Sequence, residues 1–408
     1  MTAMIKSTLI LLVTVATFTA SCGQGIDPNH IAGHIRILAS DEYEGRGTGS
    51  AGEEKAAQYI ESQFKKFKLK PMGDNGSYRQ TFPFKGGMHG TGNEGTAKNI
   101  VGFLDNGASH TVVFGAHFDH LGFGEEGNSL DANPKGKIHN GADDNASGVA
   151  GILELARRFS DKNKELHNFL FLCFSGEELG LYGSKYWTEH PTMDLSKINY
   201  MINLDMVGRL DEKNGLSVSG SGTAPVWEPL LKELSKDRLL IKTDSSGTGP
   251  SDHTSFYLKN IPVLHFFTGS HSDYHKPTDD ADKINSAGEA KILDLIVDLV
   301  NARLTSEKLA FLPTKNRTTV ARSAFKVTMG VMPSYSADVV GLKVDGVSEG
   351  KPAQKAGIAT GDVILKIGEI EVKDIQNYMD ALGKFEKGQT VQVILKRGEK
   401  TLTLPVTF

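Results

Sequence analysis

From Asn99 to Leu304 the apolar positions change repeatedly between two rhythms. Runs that are apolar at nearly every position read as strands buried on both faces. They are "NIVGFL" (99–104), "TVVFGAHFD" (111–119), the stretch 168–175, "INYMINLDMV" (198–207) and "IPVLHFF" (261–267). Between them apolar residues recur at helical spacing. Val149, Ile152, Leu153, Ala156 and Phe159 share one face of a helix over 146–159, and further helices are predicted near Tyr182, over 225–236 and from Ser286 to Leu304. Such strands alternating with helices predict an α/β fold, a mostly parallel central sheet flanked by helices. Upstream, Ser50 and Glu53 form a capping box, and Ala56, Ile60, Phe64 and Phe67 line one face of the helix it opens. The glycines of "EGRGTGS" follow no strand and precede no G-K-[ST], which argues against a phosphate loop.

The rhythm breaks near Phe311. The polar stretch "LPTKNRTTVARSA" after Phe311 reads as a linker over 311–324, and short strands dominate beyond it, in a small α+β domain over 325–408. At the other end, one lysine precedes an apolar run from Leu9 to Ala20, too short to span a bilayer comfortably and typical of an export signal. The "TASC" that closes it resembles the lipobox of bacterial lipoproteins, with Thr19 where Leu or Val is usual. The expectation is a signal peptide over 1–22 and an exported bacterial protein anchored to the membrane through lipidated Cys22, in the periplasm or on the cell surface. Simple secretion and an uncleaved anchor are the alternatives. The first domain then occupies 23–310. The chain has 408 residues and a net charge of −4, with no long basic run, so nucleic acid is not an expected partner. The second cysteine, Cys173, falls inside an apolar strand and reads as a small buried hydrophobe.

The chemistry gathers where predicted strands end. "SGEELG" puts Glu177 and Glu178 side by side after a buried strand, a costly arrangement unless a positive charge faces them. "GAHFDHLG" brings His117 and Asp119, "HNGADDNASG" Asp143 and Asp144, "NLDMVG" Asp205 and "SDYHKPTDD" His275. Each has an ordinary reading alone; "ADDNAS", for instance, caps a helix. Together, at the ends of strands where open parallel sheets bind ligands, and with no lysine or arginine inside the clusters, they point to a metal. His117, Asp144, Glu178, Asp205 and His275 are the candidate ligands. They exceed the three protein ligands of one catalytic zinc and suit two if a carboxylate bridges, with Asp144 the natural bridge. Two residues from His117, Asp119 is placed to accept its other ring N–H.

These motifs, "HFDH", "GADDNASG", "SGEELGLYGS", "NLDMVG" and "DYHKPTD", resemble those of the co-catalytic zinc aminopeptidases, in the same order and context. That family includes secreted bacterial leucyl aminopeptidases and glutamate carboxypeptidase II, and the likeness covers roughly 30–305. It implies the zinc exopeptidase fold and two Zn2+ per chain, one held by His117, Asp144 and Asp205 and the other by Asp144, Glu178 and His275. It implies Glu177 as general base and Tyr274 as the residue that steadies the tetrahedral oxyanion; neither role follows from spacing alone. "PSDHTSF" also resembles a family segment, with no catalytic role expected for Asp252 or His253. The tail resembles a PDZ domain of the bacterial, protease-associated kind. "TMGVMPSY" is expected there as the glycine loop and edge strand that capture a peptide, or as part of a plain packing module. The implied function is hydrolysis of N-terminal residues from peptides. A glutaminyl-cyclase-like acyltransferase and a catalytically dead peptide-binding adaptor are the alternatives.

Overall fold

The structure is a computed structural model that describes residues 25–85, 94–125, 128–131, 133–160, 167–302, 307–314, 327–333, 340–347, 350–373 and 375–408. The expected export segment with Cys22, and positions 315–324 of the expected linker, lie outside these. No helix among the described residues is long and apolar enough to cross a membrane.

The first domain opens with helices α1 (Pro28–Leu38) and α2 (Ala51–Lys66), followed by strands β1 (Lys70–Pro71), β2 (Arg79–Lys85), β3 (Glu94–Leu104) and β4 (Thr111–His117). The alternation continues with α3 (Gly148–Ser160), β5 (Asn168–Phe174), α4 (Tyr182–Glu189), β6 (Ile198–Leu204) and β7 (Leu216–Ser219). It ends with α5 (Trp227–Ser235), β8 (Ile241–Asp244), α6 (His253–Tyr257), β9 (Val263–Phe267) and α7 (Ser286–Ala302). The strands form one sheet in the order β1-β3-β5-β4-β6-β9-β7-β8, with β2 paired to β3. Its centre, β5-β4-β6-β9, is parallel as expected, and the flanks at β3 and β7 run antiparallel to it. Antiparallel flanks were not legible, because a strand buried on both faces has the same apolar composition in either direction.

Alternate side chains of each central strand enter two different cores. Val112, Phe114 and Ala116 of β4, with Phe169, Phe171 and Cys173 of β5, face the larger core beneath α1, α2, α3, α5 and α7. Val113, Leu170, Leu172 and Phe174 face the smaller one, where Trp187 of α4 stacks on Phe256 of α6 at 5.4 Å. This two-sided burial is why the strands carry no polar alternation, and it makes Cys173 the buried hydrophobe expected of it. On the larger side Phe159 stacks on Phe169 at 4.3 Å. Removing such a ring costs about 3–5 kcal/mol, since the cavity left behind collapses only in part.

Residues 307–314 stay attached to this domain. Leu309 is buried, Phe311 meets the ring of Tyr257 at 5.4 Å, and the Thr314 N–H donates to the Tyr257 hydroxyl at 2.9 Å.

The tail folds around a core of its own, with Val344, Ile364, Ile367, Tyr378, Ala381, Val393 and Leu395 at its centre. Its elements are β10 (Val331–Pro333), β11 (Leu342–Val347), α8 (Pro352–Lys355), β12 (Val363–Ile367), β13 (Ile370–Glu371), α9 (Ile375–Leu382), β14 (Thr390–Arg397) and β15 (Lys400–Thr407). They include the expected strand pair in "GDVILKIGEIEV" and the helix over 375–382. Strand order is β10-β11-β12-β14-β15, which leaves β10 at an edge directly after Gly330, whose φ is +76°.

Candidate metal centre

Every candidate side chain sits at the carboxyl end of a central strand or on the loop that follows. His117 closes β4, Asp205 follows β6, and the loop after β9 carries Tyr274 and His275. Asp144 lies in the tight turn 142–147 that leads into α3. After β5, Gly176 adopts a left-handed φ of +70°, which turns the chain sharply before Glu177 and Glu178.

The two oxygens of Asp144 face opposite ways. Oδ1 is 3.3 Å from His117 Nε2, which is also 3.5 Å from Asp205 Oδ1. Oδ2 is 3.2 Å from His275 Nε2, which is also 3.1 Å from Glu178 Oε2. The five side chains singled out as ligands therefore converge, in two groups that share Asp144.

The ring tautomers follow from the hydrogen bonds. His117 Nδ1 lies 3.1 Å from the main-chain carbonyl of Asp119, and His275 Nδ1 lies 2.8 Å from that of Asn128. A carbonyl only accepts, so Nδ1 of each ring carries a proton, and the neutral form of each ring offers Nε2 to a metal on the inner side. The expected partner of His117 was the Asp119 carboxylate, which instead lies 3.6 Å away. That carboxylate accepts the Thr48 hydroxyl at 2.8 Å and the Glu177 N–H at 3.2 Å. Asp119 thus ties the Glu177 turn to the segment before α2, and holds the histidine through its backbone.

The adjacent glutamates differ in charge preference. For Glu178, His275 and the hydrogen bonds from His120 and His275 outweigh burial and the repulsion of Asp144, holding its carboxyl down to about 2. Burial comes first in pushing Glu177 well above the usual carboxylate range, aided by Asp205, Asp252 and Glu178 and opposed by His117. The surroundings thus favour the charged form of Glu178 and raise the proton affinity of Glu177, the separation that acid–base chemistry uses.

Three residues around the site carried no role in the sequence reading. The Arg46 guanidinium, buried at 1% exposure, donates to the carbonyls of Phe118, Leu38, Asn140 and Gly141 at 2.6–2.9 Å. Asp279 accepts the N–H groups of Asp143 and Asp144. His120 Nδ1 lies 2.8 Å from Glu178 Oε1. Glu53 is more than a cap. Its N–H does bond to Ser50 Oγ at 3.1 Å, but its carboxylate is fully buried, accepting the Gly49 N–H at 2.9 Å and the Ser175 hydroxyl.

The donors border a cavity of about 690 Å³ that also meets Met206, Phe267 and Tyr274, and Lys343 of the tail touches it. Imidazole and carboxylate groups in this proportion, without a competing amine among them, fit zinc. His117, Asp144 and Asp205 each bring a donor atom within 4.8 Å of the other two.

A sheet with this strand order, and donors of this kind at its carboxyl edge, define a metal-site α/β protein of the zinc exopeptidase fold. The solved zinc-dependent exopeptidase from Parabacteroides distasonis matches with TM-score 0.56 at 18% identity, covering 68% of this chain and 98% of that one. The glutaminyl cyclase of Porphyromonas gingivalis shares the fold equally well, with TM-score 0.56 at 17% identity over 69% of this chain and 100% of its own. Residues 99–300 match the profile of peptidase family M28 and residues 317–408 that of the PDZ domain. Among curated relatives, leucine aminopeptidase 2 of Trichophyton equinum is 27% identical over 42% of this chain, and aminopeptidase YwaD of Bacillus subtilis is 28% identical over 52%. The matches span only 36% and 46% of the length of those two relatives.

Proposed function

We propose that this chain is a metal-dependent exopeptidase that removes residues from the N-termini of peptides with two zinc ions in the site. The observation that carries the reading is Asp144, whose Oδ1 and Oδ2 serve two donor groups at once. Paired zinc ions in such a site supply electrophilic polarisation of a carbonyl and a lowered pKa for water. His117 and Asp205 would hold one ion with Asp144, and Glu178 and His275 would hold the other with it. Glu177 borders the cavity beside them and takes the proton of the attacking water, an assignment supported by its place at the cavity wall and its raised proton affinity. Tyr274, stacked on His275 with ring centres 3.9 Å apart, steadies the oxyanion of the tetrahedral species with its hydroxyl. Digestion of a peptide library by the zinc-loaded chain, read by mass spectrometry, tests this. Stepwise loss of N-terminal residues, abolished by chelator, is the expected result, and trimming from the C-terminus or no trimming refutes it.

The shared fold favours glutaminyl cyclisation as a second reading. Such enzymes resemble this family but work with a single zinc, so metal analysis separates the two: two ions per chain support the peptidase and one supports the cyclase.

Two accessory roles belong to the same reading. The β10 edge beside Gly330 receives an extended peptide by strand addition, supported by its terminal place in the PDZ sheet. Lipidated Cys22 anchors the chain to the membrane, so Cys22→Ser moves it to the soluble fraction with unchanged catalytic constants. A wild-type chain already found in the soluble fraction excludes the anchor.

A further inference from the structure

We propose that His120 is a positioning residue for the metal site. It donates its Nδ1 proton to Glu178 Oε1, which leaves Oε2 alone to join His275 and Asp144 as a donor. The inference rests on the two-metal reading above.

His120 stands three residues beyond His117, past the end of β4, where its main-chain N–H donates to the Arg46 carbonyl at 3.0 Å. Its side chain is fully buried. Nδ1 is 2.8 Å from Glu178 Oε1 and 3.8 Å from Asp144 Oδ2. The first is an ordinary hydrogen-bond length and the second is not. Tetrahedral zinc with bonds of about 2.0–2.2 Å sets its donors roughly 3.3–3.6 Å apart. His275 Nε2 stands at 3.1 and 3.2 Å from Glu178 Oε2 and Asp144 Oδ2, close to that spacing. His120, closer to one carboxylate and further from the other, suits a hydrogen bond better than a place in the shell.

The ring's other nitrogen decides between the two roles. His120 Nε2 is buried and, among the described residues, has no hydrogen-bond partner. Were Nδ1 a metal donor, the proton would move to Nε2 and become a buried N–H with nothing to accept it. Metal-binding histidines almost always donate that second proton to an acceptor, as His117 and His275 do here. With the proton on Nδ1, the buried Nε2 is an unused lone pair, and the one available donation goes to Glu178. Gly141, whose φ is +54°, leaves space for the ring: a Cβ there would come within 2.5 Å of His120 Cγ and Cδ2. The effect is to fix the carboxylate of Glu178 about its last torsion. Its two oxygens then have separate duties, one turned to a proton and one to a metal.

Zinc titration against a competing chelator, with His120→Ala and His120→Asn beside the wild type, tests this. The amide of asparagine sets a donor near the position of Nδ1. His120→Ala should weaken one of two zinc ions by about 10–100-fold, the usual cost of losing a partner of a ligand, and His120→Asn should restore most of it. Nitrogen-15 NMR of the zinc-loaded wild type should show the His120 proton on Nδ1. Equal losses in both variants, with the shift of a metal-bound Nδ1, overturn the proposal in favour of a direct ligand. Unchanged affinity in both overturns it outright while leaving the two-metal reading standing. A wild-type chain that binds no zinc removes that reading and this inference together.

Discussion

Asp279 reaches Asp144 through the main chain: its Oδ2 accepts the N–H groups of Asp143 and Asp144 at 2.9 and 3.1 Å. Its Oδ1 takes Arg209 at 3.1 Å, so the carboxylate holds the bridging turn with its charge paired. Asp279→Asn keeps one carbonyl oxygen for the turn but sets an NH2 against the arginine. Zinc affinity is expected to fall about 10–100-fold, with activity recovered in excess metal. Asp279→Ala should also lower thermal stability, because each buried N–H left unpaired costs about 1–3 kcal/mol. Wild-type zinc affinity in both variants would show that the clamp is idle.

The neighbouring glutamates separate under amide substitution. Glu177→Gln keeps size and polarity but cannot accept a proton, and should cost about 10²–10⁴-fold in kcat with KM and metal content little changed. Glu178→Gln removes a charged donor and should release one zinc, with partial rescue by added metal. Metal analysis and steady-state kinetics on both variants check this. Zinc loss in Glu177→Gln, with two ions kept in Glu178→Gln, would mean that the roles are reversed.

Glu53 predicts a pH dependence of stability. Burial first, then the charge of Asp119, pushes its carboxyl from 4.5 to about 8, against the hydrogen bonds from Ser175 and Gly49 and the charge of Lys98. The folded chain holds a proton there that the unfolded chain releases. With respect to this group, stability is therefore greatest below about pH 4.5 and falls as pH rises towards 8, with a slope of up to about 1.4 kcal/mol per pH unit. Glu53→Gln has no proton to lose. Its melting temperature should gain on the wild type steadily from pH 5 to pH 8, in scans at fixed zinc. A constant difference across that range would mean that Glu53 is ionised in the folded state.

Ending the chain after Thr314 should leave a folded, zinc-loaded enzyme. All the candidate metal donors precede that point, and the Thr314 contacts with Tyr257 and Gly247 are retained. Hydrolysis of an aminoacyl anilide is expected at near wild-type kcat/KM, while long peptides lose rate because Lys343 and the β10 edge are gone. A folded, loaded but inactive truncation would make the tail part of the active site.

Much of this site was legible because its donors mark the ends of strands whose apolar runs are plain. Glu178 follows the end of β5 within one turn of chain and Asp205 directly follows β6, and two-sided burial marks where those strands stop. His120 escaped because its role depends on Gly141 and Glu178, distant in sequence, and a histidine in a loop has no periodicity to betray it. Glu53 was hidden by a second, correct explanation, since its backbone does serve the capping box. Asp119 was read as a carboxylate partner for His117; which oxygen of a residue faces a ring is set by the local path of the chain, and spacing does not encode it.

Arg46 bears on how the protein comes to be active. Its guanidinium needs carbonyls from Leu38, Phe118, Asn140 and Gly141, and the donors themselves extend to His275. In chain order Arg46 precedes His275 by most of the first domain. Without that length of chain the arginine has no complete set of acceptors and the carboxylates have no finished cage. On the two-metal reading, a complete site therefore requires nearly the whole first domain, from Leu38 to His275, to be present and folded together.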